Sequence, residues 1–281
     1  MKLGIFTRVF ERPTLAETLD GVITGGFASV QFDLSSAGLT DTPDEAPDQD
    51  CCDRIRCCFA ERGIEMAAVS GTVNMIHPDP TERERELRRL ENVIASARAL
   101  GTTIVTLCTG TCNPDYLWRW HPENDSPGAW TDLLAAMERT VRVAEAHRMT
   151  VAFEPEVNNV VDSADKARRL IDAIASPALK VVIDGANLFH AGELPRMREV
   201  LDHGFDVLGE HIVLAHAKDL SHDGDAGHDA AGTGLLDYDH YLRLLKETGF
   251  TGSVVLHSLT EAQAPTCAAF VRGKMERLGD R

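Results

Sequence analysis

"TVAFEPEVNNVVDSADKARRLIDAIASPALKVVID", residues 150–184, contains every part of a strand-helix-strand unit. Its opening "TVAFE" (150–154) is a short apolar run closed by a carboxylate, the pattern of a buried strand. From Ser163 the period changes. Ala164, Ala167, Leu170, Ile171 and Ile174 recur three and four apart, which predicts a helix over 163–174 that starts on Ser163 as its N-cap. "LKVVID" (179–184) then starts a second strand. A helix between two such runs predicts parallel pairing through a right-handed crossover.

Working outward, the same alternation covers the chain. The other strand-like runs are "KLGIF" (2–6), "SVQFD" (29–33), "IEMAAVS" (64–70), "TIVTLC" (103–108), "HIVLAHA" (211–217) and "SVVLH" (253–257), which makes eight in all. Helical spacing recurs between them, at 14–26, 81–101 and 129–147 among others, and Gly26, Gly63, Gly101 and Gly249 follow helices as C-caps. Eight such units without a break in composition predict a single-domain α/β fold, a (β/α)₈ TIM barrel spanning 1–281. A doubly wound open sheet would bring a glycine-rich phosphate loop after the first strand, and "GIFTRVFERPT" has none.

Bulk properties narrow the partners. With 281 residues the chain can bury a large core, and a net charge of −16 opposes binding to nucleic acid or anionic membranes. No apolar stretch is long enough to span a bilayer, and "MKLGIFTRVF" lacks the unbroken apolar stretch of a signal peptide, so a cytoplasmic enzyme with a small-molecule ligand is expected. The seven cysteines, four of them in "CCDRIRCC" (51–58), match no zinc or disulfide pattern and read as packing thiols.

Ionisable groups gather at the carboxyl ends of the later strands, which read "FEPE", "IDGAN", "AHAKD" and "LHS". Glu154, Asp184, His216 and His257 therefore occupy equivalent positions on four consecutive strands. Strand ends converge in a barrel, so these four side chains can meet at one divalent ion without any local motif. Taken singly, Asp184 reads as a helix cap and His216 as a structural histidine. Taken together, four polar closures of apolar strands need a shared explanation.

The chain resembles the sugar phosphate isomerase/epimerase family with a xylose isomerase-like barrel. The similarity runs through "LGIFTRVF", "VSGTVNMIHPD", "LCTGTCNPDYLWRWHPEN", "VAFEPEVNNVVDSADKARRLID", "VVIDGANLFH", "AHAKD" and "GTGLLDYDHYLRLLKETGF". The resemblance implies a divalent metal, Mn²⁺ first, with Mg²⁺, Co²⁺ or Zn²⁺ as alternatives, held by Glu, Asp, His and Glu. Glu154, Asp184 and His216 match three of those ligands, and His257 stands where the fourth, a glutamate, is implied. A ligating imidazole is a poor base. Proton transfer would then fall to Glu156, two residues beyond Glu154, or Lys218, two beyond His216, unless these two form a rim ion pair.

Substrate contacts are expected from Asn74 and His77 after the third strand, and from Trp118, Arg119, Trp120 and His121 after the fourth; the tryptophans could equally anchor a loop. "AAGTGLLDYD" (230–239) reads as a turn entering the last crossover. The activity these readings imply is isomerisation or epimerisation of a keto-sugar or polyol-derived carbonyl through an enediolate. β-Elimination by a metal-dependent lyase or dehydratase is the alternative, and a non-catalytic sugar sensor a further class. DNA cleavage would require a multi-metal cluster and a basic face, which −16 opposes. The partners expected are thus a small carbohydrate and, as a possibility, a second copy of the chain.

Overall fold

The computed structural model describes residues 1–279. Eight parallel strands close into a barrel: β1 (Lys2–Phe6), β2 (Ser29–Phe32), β3 (Glu65–Ser70), β4 (Ile104–Cys108), β5 (Thr150–Glu154), β6 (Leu179–Asp184), β7 (Ile212–Asp219) and β9 (Ser253–Leu256). Each pairs with its neighbours in sequence. The circle closes where Lys2 to Ile5 of β1 align with Ser253 to Leu256 of β9.

Around the sheet lie α1 (Leu15–Thr24), α2 (Gln49–Arg62), α3 (Pro80–Leu100), α4 (Pro127–His147), α5 (Ala164–Ile174), α6 (Met197–Leu208), α7 (Tyr238–Glu247) and α8 (Ala264–Gly279). The expected punctuation operates as chemistry. Ser163 accepts from the Lys166 amide at the start of α5, and Gly63 and Gly101 take left-handed backbone at the ends of α2 and α3.

Strand alternation divides the core in two. Val151 and Phe153 of β5, Val181 and Ile183 of β6, and Ala215 and Ala217 of β7 face outward into the large layer between sheet and helices. The intervening residues face inward, where Phe6, Ala67, Ala68, Ala152, Val182, Leu214 and Val255 form a small apolar plug. One step along each strand above that plug come Glu154, Asp184, His216 and His257. The period of two that buries Ala152, Val182, Leu214 and Val255 is what aims those four at the axis.

The structure differs from the sequence reading at two places. The last barrel strand ends at Leu256, so His257 is the first residue of the following loop while keeping its inward direction. In place of a plain turn, residues 229–236 contain a short strand, β8 (Asp229–Ala230), antiparallel to the tip of β7 at Lys218 and Asp219. Buried Asp219 organises this return: Oδ1 accepts from the Leu220 and Leu236 amides and Oδ2 from the Gly232 amide. Two paired residues are too few for any periodicity to announce.

Candidate active site

A cleft of about 900 Å³ opens at the carboxyl ends of the strands, with Glu154, Glu156, His216, Lys218 and His257 in its wall. Ligand atoms of Glu154, Asp184, His216 and His257 all lie within 4.8 Å of one another, which makes this a potential four-residue metal site. His216 Nδ1 lies 3.2 Å from Glu154 Oε2, and His257 Nε2 lies 3.3 Å from Asp184 Oδ2. The two imidazoles stand edge to face with centroids 4.5 Å apart, and Phe6 packs against His257 at 4.9 Å.

Neighbouring groups orient the cluster. Gln31, buried on β2, donates through Nε2 to Ser70 Oγ at 3.1 Å and Thr106 Oγ1 at 2.8 Å. Its oxygen therefore faces His216, whose Nε2–H donates to it at 2.8 Å. This network assigns the tautomer. The His216 Nδ1 lone pair is left aimed at the carboxylates, and that buried nitrogen has no hydrogen-bond partner. On the other side, Asn187 donates to Glu154 Oε1 at 2.6 Å and accepts from the Gly227 amide at 2.8 Å.

The protonation states suit ligation. Burial pushes the carboxyls of Glu154 and Asp184 up, but the neighbouring His216 ring and the Lys218 ammonium outweigh it at the first, the Lys218 ammonium and the neighbouring His257 ring at the second; both end below the usual carboxylate range. Burial, together with His216 and Lys218, pushes His257 down to about 4, so its ring is neutral at neutral pH. Burial lowers the Lys218 ammonium too, yet Asp184, Glu154 and Glu156 outweigh it and hold the pKa above the ordinary lysine value. Its Nζ lies 3.4 Å from Asp184 Oδ2.

Glu156 is different. It is 3 % exposed, its Oε1 has no hydrogen-bond partner, and burial, reinforced by Glu154 and Asp184 against the pull of Lys218, pushes its carboxyl up to about 8. Such a carboxyl exchanges its proton near neutral pH.

Of the residues expected to contact substrate, Trp118 lines the cleft. Asn74, His77, Arg119 and His121 do not line the cleft, and each contacts its own or the neighbouring loop. Buried Asn74 exchanges hydrogen bonds with the backbone of Thr111, and His77 bonds the Pro114 carbonyl and the Asp79 amide. His121 accepts from the Glu123 amide, and Arg119 stacks on Tyr116 at 5.8 Å. Arg8, Gln31, Asn158 and His228 also line the cleft. Gln31 stands in an otherwise apolar strand and Arg8 two residues beyond inward-facing Phe6, so the count of two that marked Glu156 and Lys218 also reaches them.

Residues 24–270 match the family described as the xylose isomerase-like TIM barrel. No curated protein matches the chain. Among solved structures, L-ribulose 3-epimerase is similar with a TM-score of 0.75 at 18% identity, over 98% of this chain and 95% of that one. The probable 3-DHS dehydratase AsbF from Bacillus anthracis gives 0.72 at 15% identity, over all of both chains. The IOLI protein, solved with a zinc atom, gives 0.72 at 16% identity over 99% of each. At these identities the structures share the fold, and the match to the sequence family does the assigning: the chain belongs to the xylose isomerase-like TIM-barrel family.

Proposed function

We propose that this barrel is a divalent-metal-dependent isomerase or epimerase that acts on a carbonyl sugar through an enediolate, with Glu156 moving the proton. The observation that carries the reading is one cleft holding both a four-ligand cluster and a buried carboxyl with an unpartnered oxygen. Glu154, Asp184, His216 and His257 would hold the ion, and the orphaned His216 Nδ1 fits that role. Two imidazoles and two carboxylates suit Mn²⁺, Co²⁺ or Zn²⁺ better than Mg²⁺, and the zinc in IOLI is compatible with this preference. When bound, the ion polarises a carbonyl oxygen.

The remaining steps belong to the chain. For isomerisation, Glu156 as carboxylate removes the proton from the hydroxyl-bearing carbon beside the carbonyl and returns it to the former carbonyl carbon, while the hydroxyl proton passes to the former carbonyl oxygen. Lys218, kept protonated by its three carboxylates, stabilises negative charge as it develops. A second reading, β-elimination, is favoured by a specific observation: His257 occupies the place where the family resemblance implies a further carboxylate. Inverting a stereocentre needs proton transfer on both faces, whereas elimination needs one base and an acid for the leaving group, roles that Glu156 and Lys218 would fill.

The test is product analysis in D₂O with Mn²⁺-loaded enzyme and a panel of keto-sugars and inososes. Isomerisation or epimerisation keeps the carbon skeleton and gains deuterium, while elimination loses water or an aglycone. Glu156→Gln should lower turnover by about 100-fold or more with metal content unchanged. Full turnover in that variant, or in protein stripped of metal, would overturn the proposal.

A further inference from the structure

We infer that the mouth of the cleft is a binding subsite for a flat, uncharged apolar group, which makes the substrate a neutral glycoside rather than a free sugar phosphate. The inference rests on the reading of the cleft floor as a site for carbonyl sugars. The first observation is the placement of exposed aromatics. Among the described residues, three of the five exposed large apolar side chains, Tyr116, Trp118 and Trp120, belong to a single loop, and Tyr116 and Trp118 line the cleft.

That loop is built to hold them out. Asn113 Oδ1 accepts from the amides of both Asp115 and Tyr116, the Arg119 amide donates to the Tyr116 carbonyl, and Thr111 Oγ1 donates to the Arg119 carbonyl at 2.9 Å. The turn is thus tied at both ends, and its rings are presented to water beside the floor where Glu156 and Lys218 stand. At about 900 Å³ the cleft is near the upper end of the range that fits drug-sized ligands, more than a single sugar ring fills. A polyhydroxylated ring on the floor leaves the ledge of Tyr116 and Trp118 for whatever that ring carries, and aromatic faces select flat apolar groups.

The second observation is the absence of a spare cation. Among the described residues, the cleft is lined by the cations Arg8 and Lys218, and both are already paired, Arg8 with buried Asp33 and Lys218 with Asp184. Asp41 and Asp225 add negative charge to the same wall. Barrel enzymes frequently bind phosphate in the loops after the last two barrel strands. Here the segment after β7 carries Asp223, Asp225 and Asp229, which repel it.

Binding, read without turnover, tests the inference. Phenyl and methyl β-D-glucopyranosides, the same pair of galactopyranosides, glucose and glucose 6-phosphate are titrated into Mn²⁺-loaded protein by calorimetry. Each phenyl glycoside should bind roughly tenfold or more tightly than its methyl partner, and glucose 6-phosphate more weakly than glucose. Trp118→Ala combined with Tyr116→Ala should erase the phenyl preference while metal content and melting temperature stay at wild-type values. No phenyl preference in either pair, a preference that survives the double variant, or tighter binding of the phosphate would each overturn the inference. So would loss of a dimer in the double variant with the preference intact, which would assign the ledge to a subunit contact. Deuterium exchange into keto-sugars on the same preparations reports on the floor chemistry alone, so the two readings fail separately.

Discussion

His257 places a neutral ring where a carboxylate is implied by the family resemblance, and the change alters the charge of the cluster. Two carboxylates, Glu154 and Asp184, would balance a divalent ion fully, leaving no surplus negative charge to weaken its pull on a carbonyl. His257→Ala should therefore weaken metal binding by about tenfold to a hundredfold in chelator-competition titrations, and wild-type affinity in that variant would remove His257 from the ligand set. Glu156 gives a second prediction, read in metal-free protein. Its carboxyl sits at about 8 when folded against an ordinary 4.5, so the native state holds its proton longer than the unfolded chain. The stability linked to that proton is fully present below about pH 4.5 and is lost as pH climbs through about 8. Glu156→Gln, which cannot ionise, should melt higher than wild type at pH 9 and show no such gain at pH 4. Equal melting temperatures at both pH values would show that the carboxyl is not held protonated by its surroundings.

Secondary-structure elements were the most legible part of the sequence, for a physical reason. A strand of a closed parallel barrel is buried on both faces, so "LKVVID" or "SVVL" is an apolar run that nothing else in the chain imitates. The metal-site candidates were legible by the same physics, because a carboxylate or imidazole at the end of such a run has to be compensated. Loop positions carry no period. His77 and His121 are expected at the substrate from their loops alone, yet both nitrogens of His77 and Nδ1 of His121 bond backbone groups, an arrangement that no period encodes. Arg8 and Gln31 become partners of Asp33 and His216 only through the register between strands distant in sequence. The β7–β8 return is an element whose role can be measured. Asp219→Ala strips the acceptor from three backbone amides and should cost about 2 to 4 kcal/mol in denaturant unfolding, with Asp219→Asn in between. A cost below about 0.5 kcal/mol, the range of ordinary surface changes, would mean that water replaces those bonds freely.

At the scale of the whole molecule, an ion held at the axis as proposed would tie β5, β6, β7 and the residue after β9 to one point, so metal should stabilise the entire barrel. At 100 times its dissociation constant an ion adds about 2.7 kcal/mol, or about 4 to 5 °C in melting temperature for a chain of this size. Asp184→Asn should abolish that gain, and an equal rise in the variant would place the ion elsewhere. The seam between β1 and β9 has a different consequence, for synthesis. It joins the earliest barrel strand to be made with the latest, whose residues lie about 250 positions apart, so at about 5 to 20 residues per second β1 waits roughly 12 to 50 s for its partner. The free edge of β1 has no neighbour throughout that interval, and that of β7 has none from the time it is made until β9 joins it; both are apolar strands of the kind that adhere to other chains. The nascent barrel is therefore most exposed to aggregation just before its last strand emerges, and a ribosome stalled in α7 would leave an almost complete barrel with an open, adhesive slot.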